Sequence, residues 1–328
     1  MNRFRMSVLW GCLLAIVGWQ GLAWAEGIRM VSSDVDVPIS TRIDGVNVPP
    51  SPPLLAASPP SDSENEAIFQ QIVQKADRAG WQQQSMGEIL QAVSAQLLGA
   101  QYKAGLLDRS ETEELFISLT EFDCLLFVET VLAIARGIAQ GDNAYPAFVD
   151  HVAEQRYRDG QPDGYCSRLH YFADWIASNQ GRGIVKDIAP QLGGVAVQPT
   201  LNFMSTHKDL YPRLAHNAAN YRCIVEMEAQ LRGKSIHSIP GDRIRNTYDR
   251  LQAGDIVGIT TSLEGLDVTH TGLVYRSAEG GVGFIHASPG GSVRIAPDLQ
   301  TFVEKVDYAT GILVVRPTDP RQVAGIVP

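Results

Sequence analysis

The sequence predicts an α+β protein, helical in its N-terminal half and built on an antiparallel sheet in its C-terminal half. Between about residues 64 and 234, apolar side chains recur at helical spacing, interrupted by Gly- and Pro-containing clusters such as residues 159–164. From Asp255 the pattern changes to short runs rich in β-branched residues, punctuated by Glu279-Gly280-Gly281 and Pro289-Gly290-Gly291. Helices first and adjacent strands second is the order of an α+β fold with an antiparallel sheet. The chain shows no internal repeat.

Residues 1–25 have the form of a secretory leader. Arg3 and Arg5 precede an apolar run from Val8 to Trp19, and Ala23-Trp24-Ala25 is a small-x-small cleavage site ahead of Glu26. Cys12 lies inside the run, which argues against a lipidated N-terminus. The run is short for a membrane span, and no later segment is long and apolar enough to be one. The expectation is an exported protein, periplasmic or secreted, with no membrane insertion after cleavage. Residues 26–62 contain Pro49-Pro50, Pro52-Pro53 and Pro59-Pro60 and read as a linker or surface strap. Residues 63–328 are then one domain, with a helical part over 63–250 and a sheet part over 251–317.

Ile68, Ile72 and Val73 predict a helix to about Ala79, and Ile89, Val93, Leu97 and Leu98 predict a second to about Gly99. Residues 111–119 are expected to form a short third helix. A fourth begins after Asp123, a preferred N-cap type, and carries Phe127, Val128, Val131, Ala135 and Ile138 on one face. Leu125, Leu126 and Leu132 fill its other faces, so it should be buried nearly all round. Cys124 falls in its first turn, where the helix dipole and unsatisfied N–H groups favour a thiolate and can hold an oxyanion. A core cysteine is the competing explanation. Further helices are expected over 145–154, 169–178 and 218–232.

Strands are predicted over 256–260, 271–276, 282–287, 292–295 and 311–316. His270 opens one and His286 lies in the next, so neighbouring strands can set the two imidazoles side by side. A cysteine nucleophile needs an imidazole to take the thiol proton and a third group to orient that ring. Helix-start cysteine and paired strand histidines together therefore suggest nucleophilic catalysis, against the plainer explanation that each histidine is a satisfied core or surface residue.

With 45% hydrophobic and 19% charged residues, the composition is that of a globular protein. Removing the leader removes Arg3 and Arg5 and no acid, which takes the net charge from −9 to −11. So acidic a protein has no electrostatic footprint for nucleic acid. Cys124, Cys166 and Cys223 remain after cleavage. An odd count in an exported protein suggests one pair and one free thiol. If Cys124 is the free one, Cys166 and Cys223 are the disulfide candidates; three reduced thiols are the alternative.

Several segments in order, from about Gln96 to Arg316, resemble a known family. They are residues 98–102 (Leu-Gly-Ala-Gln-Tyr), Phe122-Asp123-Cys124 with Phe127-Val128-Glu129, Ser167-Arg168-Leu169-His170-Tyr171-Phe172 with Asp174-Trp175-Ile176, Gly254-Asp255-Ile256-Val257, residues 265–272 around His270, and Ile285-His286-Ala287-Ser288. This chain resembles the exported bacterial N-acetylmuramoyl-L-alanine amidase-like family, a branch of the NlpC-type cell-wall cysteine peptidases with a papain-like core. The resemblance implies Cys124 as nucleophile, His270 as general base and His286 as the orienting residue. Tyr102 matches a tyrosine kept near the nucleophile and is a candidate substrate contact through a hydroxyl hydrogen bond to the scissile carbonyl, with a packing role as the alternative. Asp123, Arg168 and His170 are candidate substrate contacts, with an arginine paired to a structural carboxylate as the alternative for Arg168. Leu125 and Leu126 depart from the small or hydroxyl residues usual there, which makes the pocket greasier.

The expected substrate is peptidoglycan or muropeptides, cut between N-acetylmuramic acid and L-alanine of the stem. The alternatives are a γ-D-glutamyl endopeptidase acting within the stem and an inactive wall-binding module. A zinc hydrolase using some of His207, His216, His237, His270 and His286 is a further class, but no metalloprotease pair at helical spacing is present. Neither a metal nor a cofactor is expected, and the sequence sets no oligomeric state.

Overall fold

The computed structural model describes residues 62–323. The leader, residues 26–61 of the proline-rich stretch and residues 324–328 lie outside the described residues. The chain enters through helix α1 (Asp62–Ala79), which buries Phe69, Ile72, Val73 and Ala76. Helix α2 (Met86–Gln96) follows, started by a capping box between Ser85 and Glu88. Two short strands, β1 (Gln101–Tyr102) and β2 (Glu121–Phe122), pair in parallel and lead into helix α3 (Cys124–Gln140). Fourteen of its seventeen residues are buried, as the apolar residues around its circumference require, and it stops at Gly141 in the left-handed conformation.

Helices α4 (Tyr145–Arg156) and α5 (Phe172–Gly181) flank α3. Strands β3 (Val185–Asp187) and β4 (Val195–Val197), two short helical turns at Phe203–Thr206 and Pro212–Ala215, helix α6 (Ala218–Leu231) and strand β5 (Ile236–Pro240) complete the first part. The C-terminal part supplies β6 (Ile256–Thr261), β7 (Val268–Arg276), β8 (Val282–Ala287), β9 (Val293–Ala296), helix α7 (Leu299–Val303) and β10 (Ala309–Pro317). The sheet runs β4-β5-β10-β6-β7-β8-β9, with β3 also on β10, and every pair is antiparallel.

The strands alternate. Ile256, Leu273, Ile285, Leu313 and Val315 join the core that contains α3, while Val257, Val274, Phe284, Ile312 and Val314 form a second core with Leu299 and Val303 of α7. A third cluster packs Tyr171, Phe203, Tyr211 and Leu214 against Ile224, Met227 and Leu231 of α6. Cys166 and Cys223 are bridged, Cα–Cα 6.1 Å, which ties α6 to the segment just before Arg168. No helix among the described residues is long and apolar enough to cross a membrane.

Three expectations need correction. Residues 111–119 are irregular, not helical, because side chains take the backbone groups a helix would use. Tyr157 Oη donates to Glu114 O, Arg156 Nη1 to Phe116 O and Asn65 Nδ2 to Ile117 O, while Leu119 N donates to Asn65 Oδ1. Helix α5 begins at Phe172, not Leu169. The preceding residues bridge backward, with Leu169 N donating to Arg156 O. Finally, β3, β4 and β5 arise inside the stretch read as helical, because short pieces there extend the sheet, β3 and β5 on β10 and β4 on β5.

Candidate active site

The start of α3 is built by its cap. Asp123 Oδ1 accepts from Leu125 N at 3.0 Å and Leu126 N at 2.8 Å, and Phe127 N donates to the Asp123 carbonyl. Burial pushes the Asp123 carboxyl up to about 7 against the pull of those amide bonds, with nearby Glu129 raising it further. The cap consumes the Leu125 and Leu126 amides. This corrects the expectation of an oxyanion site made from several first-turn N–H groups, and leaves the amide of Cys124 itself as the candidate donor. Cys124 is buried and is the free cysteine among the described residues.

His270 and His286 meet: Nε2 of the first lies 2.7 Å from Nδ1 of the second. The register explains it. Leu273 pairs with Ile285 and Val274 with Phe284, so His286 stands opposite Gly272, two residues along the same face from His270. A Cβ at Gly272 would meet the Phe284 ring at 2.6 Å, so glycine here lets Phe284 lie under the imidazoles. Phe284 stacks on His286, and Phe302 closes over both imidazoles, 4.5 Å from the His286 centroid and 6.0 Å from that of His270. Burial, with the neighbouring His286, holds His270 well below the ordinary imidazole value. Burial and nearby Arg294 lower His286 to about 3, against a favourable backbone hydrogen bond at Ala287. Both rings are therefore neutral at neutral pH.

Helix α3 packs against β7 and β8, the strands that carry these rings. Leu126 and Phe127 share one core with Leu273, Ile285 and Ala287. Backbone hydrogen bonds also stitch the two regions together: Tyr102 pairs with Phe122 two residues before Cys124, Tyr102 N donates to Gly291 O, and Val293 pairs with Ala287 beside His286. Tyr102 thus sits on the backbone link between the helix start and the histidine strand.

Arg168 is buried, and its guanidinium is engaged internally. Nη2 lies 2.6 Å from Asp108 Oδ1, Nη1 donates to Leu107 O at 3.0 Å, and Nε is 3.6 Å from Glu113. Arg213 shares Glu113 at 2.8 Å, and the Tyr165 ring lies against both guanidinium groups. His170 Nε2 is 2.8 Å from Tyr165 O, and burial, reinforced by Arg168, keeps that ring neutral. Arg168, Leu169 and His170 line a cavity of ≈ 40 Å³ with Leu125, Glu129 and Asp108. Leu125, next to Cys124 in the chain, therefore supplies an apolar wall of this cavity, whereas Leu126 is in the core. No group of three His, Cys, Asp or Glu able to hold a metal occurs among the described residues.

A family model described as AmiA-like, N-acetylmuramoyl-L-alanine amidase-like, matches residues 92–312. The chain belongs to this family. An N-acetylmuramoyl-L-alanine amidase from Bacteroides uniformis is 31% identical, with TM-score 0.67, over 71% of this chain and 99% of its own. A Bacteroides fragilis protein put forward as a xylanase is 34% identical, with TM-score 0.64, over 69% of this chain and 99% of its own. A Legionella pneumophila protein at 19% identity and TM-score 0.59, over 78% and 95% of the two chains, shares the fold. No curated protein matches.

Within the AmiA-like chain, three contributors were not legible in advance. Phe302 covers the imidazoles from a helix outside the motifs. Arg294 lies opposite His286 across the β8–β9 pair. Buried Glu129 accepts from Arg156 Nε at 2.7 Å and Trp175 Nε1 at 3.2 Å, and so locks α3 to α4 and α5. Of these three, only Glu129 carried a signal, as a charged residue within the apolar first half of its helix.

Proposed function

We propose that this chain is a peptidoglycan amidohydrolase that cuts the amide between the lactyl group of N-acetylmuramic acid and L-alanine, with Cys124 as nucleophile, His270 as general base and His286 as the orienting residue. The observation that carries the reading is the 2.7 Å contact between two neutral imidazoles on the strands against which the Cys124 helix packs. When His270 Nε2–H donates to His286 Nδ1, Nδ1 of His270 becomes the basic nitrogen. That nitrogen takes the thiol proton as sulfur attacks the carbonyl carbon. The Cys124 amide and the Tyr102 hydroxyl stabilise the oxyanion. His270 then protonates the departing L-alanine nitrogen, and water hydrolyses the thioester with His270 again as base.

Asp123 acts by fixing the helix start. Arg168 and His170 act by shaping the wall beside Leu125, since Asp108 and Glu113 already neutralise the Arg168 charge. The leader pattern supports action outside the cytoplasm, on the wall or its released fragments. Glycoside hydrolysis has less support, because it requires two carboxyl groups facing one cleft. The buried acids here are engaged internally: Asp123 by the cap, Glu129 by Arg156, and Asp267 by backbone amides.

Digestion of defined muropeptides with wild type and Cys124→Ala, followed by mass spectrometry, tests the reading. Free stem peptide with intact muramic acid, absent with Cys124→Ala, is expected. Sugar fragments retaining L-Ala-D-Glu would instead establish cleavage within the stem. Equal binding by both forms without product would establish a wall-binding module.

A further inference from the structure

A groove of ≈ 500 Å³ lies where helix α1 passes the turn into β1 and the segment that leads into β2. Ile68, Leu97, Leu98, Ala100 and Leu119 supply its apolar lining. Leu98 is 44% exposed, whereas Leu97 and Leu119 belong to the core beneath. An exposed leucine on a concave apolar surface is area that an occupant removes from water. The groove's backbone belongs to the link between the helix start and the histidine strand. Gly99 N donates to Val293 O at 2.9 Å, Val293 N to Ala100 O at 2.8 Å, and Gln101 N to Thr120 O at 3.0 Å.

Charge and reach single out the occupant. The charged lining residues are Glu64 and Glu121, both acidic, which disfavours an acidic segment and leaves a neutral apolar one unopposed. Residues 45–61, immediately ahead of α1, carry no ionisable side chain and place Leu54-Leu55 between Pro52-Pro53 and Pro59-Pro60. Glu64 lies two residues past the start of α1 and Ile68 one turn further, so the tether begins at the groove. Leu55 is seven residues ahead of Asp62, a reach of roughly 22 Å at about 3.1 Å per residue. Glu64 to Ile68 spans only roughly 6 Å of helix. So short a tether gives an effective concentration on the order of millimolar, which a second copy or another protein would have to exceed. The prolines restrict φ before docking, so less chain entropy is lost on ordering.

We propose that residues 52–57 of this chain occupy the groove, with Leu55 against Leu98, and that the proline-rich stretch is a strap on the domain rather than a free spacer. The strap covers Leu98 and braces the 99–101 backbone that pairs with Val293. The inference does not depend on the amidase reading.

Two measurements on protein lacking residues 1–25 test it. In Leu55→Cys/Leu98→Cys under oxidised glutathione, peptide mass spectrometry follows disulfide formation, with Leu55→Cys/Glu66→Cys as the control. Glu66 is exposed and lies as near to Asp62 in the chain, but it does not line the groove. The groove pair is expected to close within one chain at least about tenfold faster than the control. Equal rates overturn the strap, and a link between two chains overturns it in favour of a second copy. Hydrogen exchange then compares wild type with Leu54→Asp/Leu55→Asp, which alters none of the described residues. The Gly99 and Gln101 amides are expected to exchange about tenfold faster in the variant, the scale of re-exposing one leucine side chain. Unchanged exchange overturns the strap, whether or not the Leu98→Cys protein folds.

Discussion

Replacing His286 tests the imidazole pair. In His286→Ala, the buried Nε2–H of His270 loses its acceptor at 2.7 Å, and Phe284 and Phe302 lose the ring they pack on. Leaving a buried donor unsatisfied costs about 1–3 kcal/mol. If the active tautomer bears that cost, kcat/KM falls about 5- to 150-fold at 1.36 kcal/mol per factor of ten. His286→Asn retains an acceptor on a shorter side chain and is expected to recover most of the loss. The assay is chromatographic release of stem peptide from a defined muropeptide, with near-UV circular dichroism as the check on folding. Full activity in folded His286→Ala, or equal damage in the Asn and Ala variants, would refute the reasoning.

Four further outcomes follow from buried groups. Asp123→Ala removes the acceptor of two helix-start amides and should lower stability by about 1–2 kcal/mol, with Asp123→Asn nearer wild type, as read by urea denaturation. Glu129→Ala strands the buried Arg156 guanidinium and should cost about 3–5 kcal/mol, far more than a surface charge deletion in the same melt. Replacing both Cys166 and Cys223 by Ser opens a 57-residue separation and should cost about 4 kcal/mol on the chain-entropy scale, measured against oxidised wild type. The pH dependence has two opposing parts. The lowered pKa values of His270 and His286 mean the unfolded chain binds more protons below about 6.5, so their stability is present above that pH and lost as pH falls toward 3. Asp123, raised to about 7, contributes stability at low pH that is lost as pH rises toward 7. Asp123→Asn should therefore make the calorimetric Tm fall more steeply than wild type between pH 6 and 4, whereas parallel curves would contradict the assignment.

Much of the fold was legible because its strongest elements satisfy local and global demands together. The α3 helix has a preferred cap, strong helix formers and apolar residues around its circumference, so pattern and burial agree. The strands bearing His270 and His286 are β-branched and separated by Gly-rich turns, which placed the two rings on neighbours. The irregular course of residues 111–119 was not legible, because it depends on Asn65, Arg156 and Tyr157 supplying hydrogen bonds from distant positions. Strands β3, β4 and β5 were missed for a related reason. Three to five residues carry no period of their own, and only pairing makes them strands, β3 and β5 on β10 and β4 on β5. At the site, residue types marked Cys124 and the imidazoles, but the engagement of Arg168 by Asp108 and Glu113 arises from segments roughly 60 residues away in the chain. The use of the Leu125 and Leu126 amides by Asp123 followed from the same cap residue that located the helix, and competes with their use by substrate.

The central claim is that the Cys124 sulfur and the His270 imidazole work as one unit, and thiol alkylation measures that coupling without substrate. The rate of iodoacetamide modification at Cys124 would be followed against pH in protein lacking residues 1–25, for wild type and His270→Ala. Coupling predicts that His270→Ala reacts at least about tenfold more slowly near pH 7 and that its profile moves toward the free-thiol value of about 8.5. Superimposable profiles for the two proteins would contradict it.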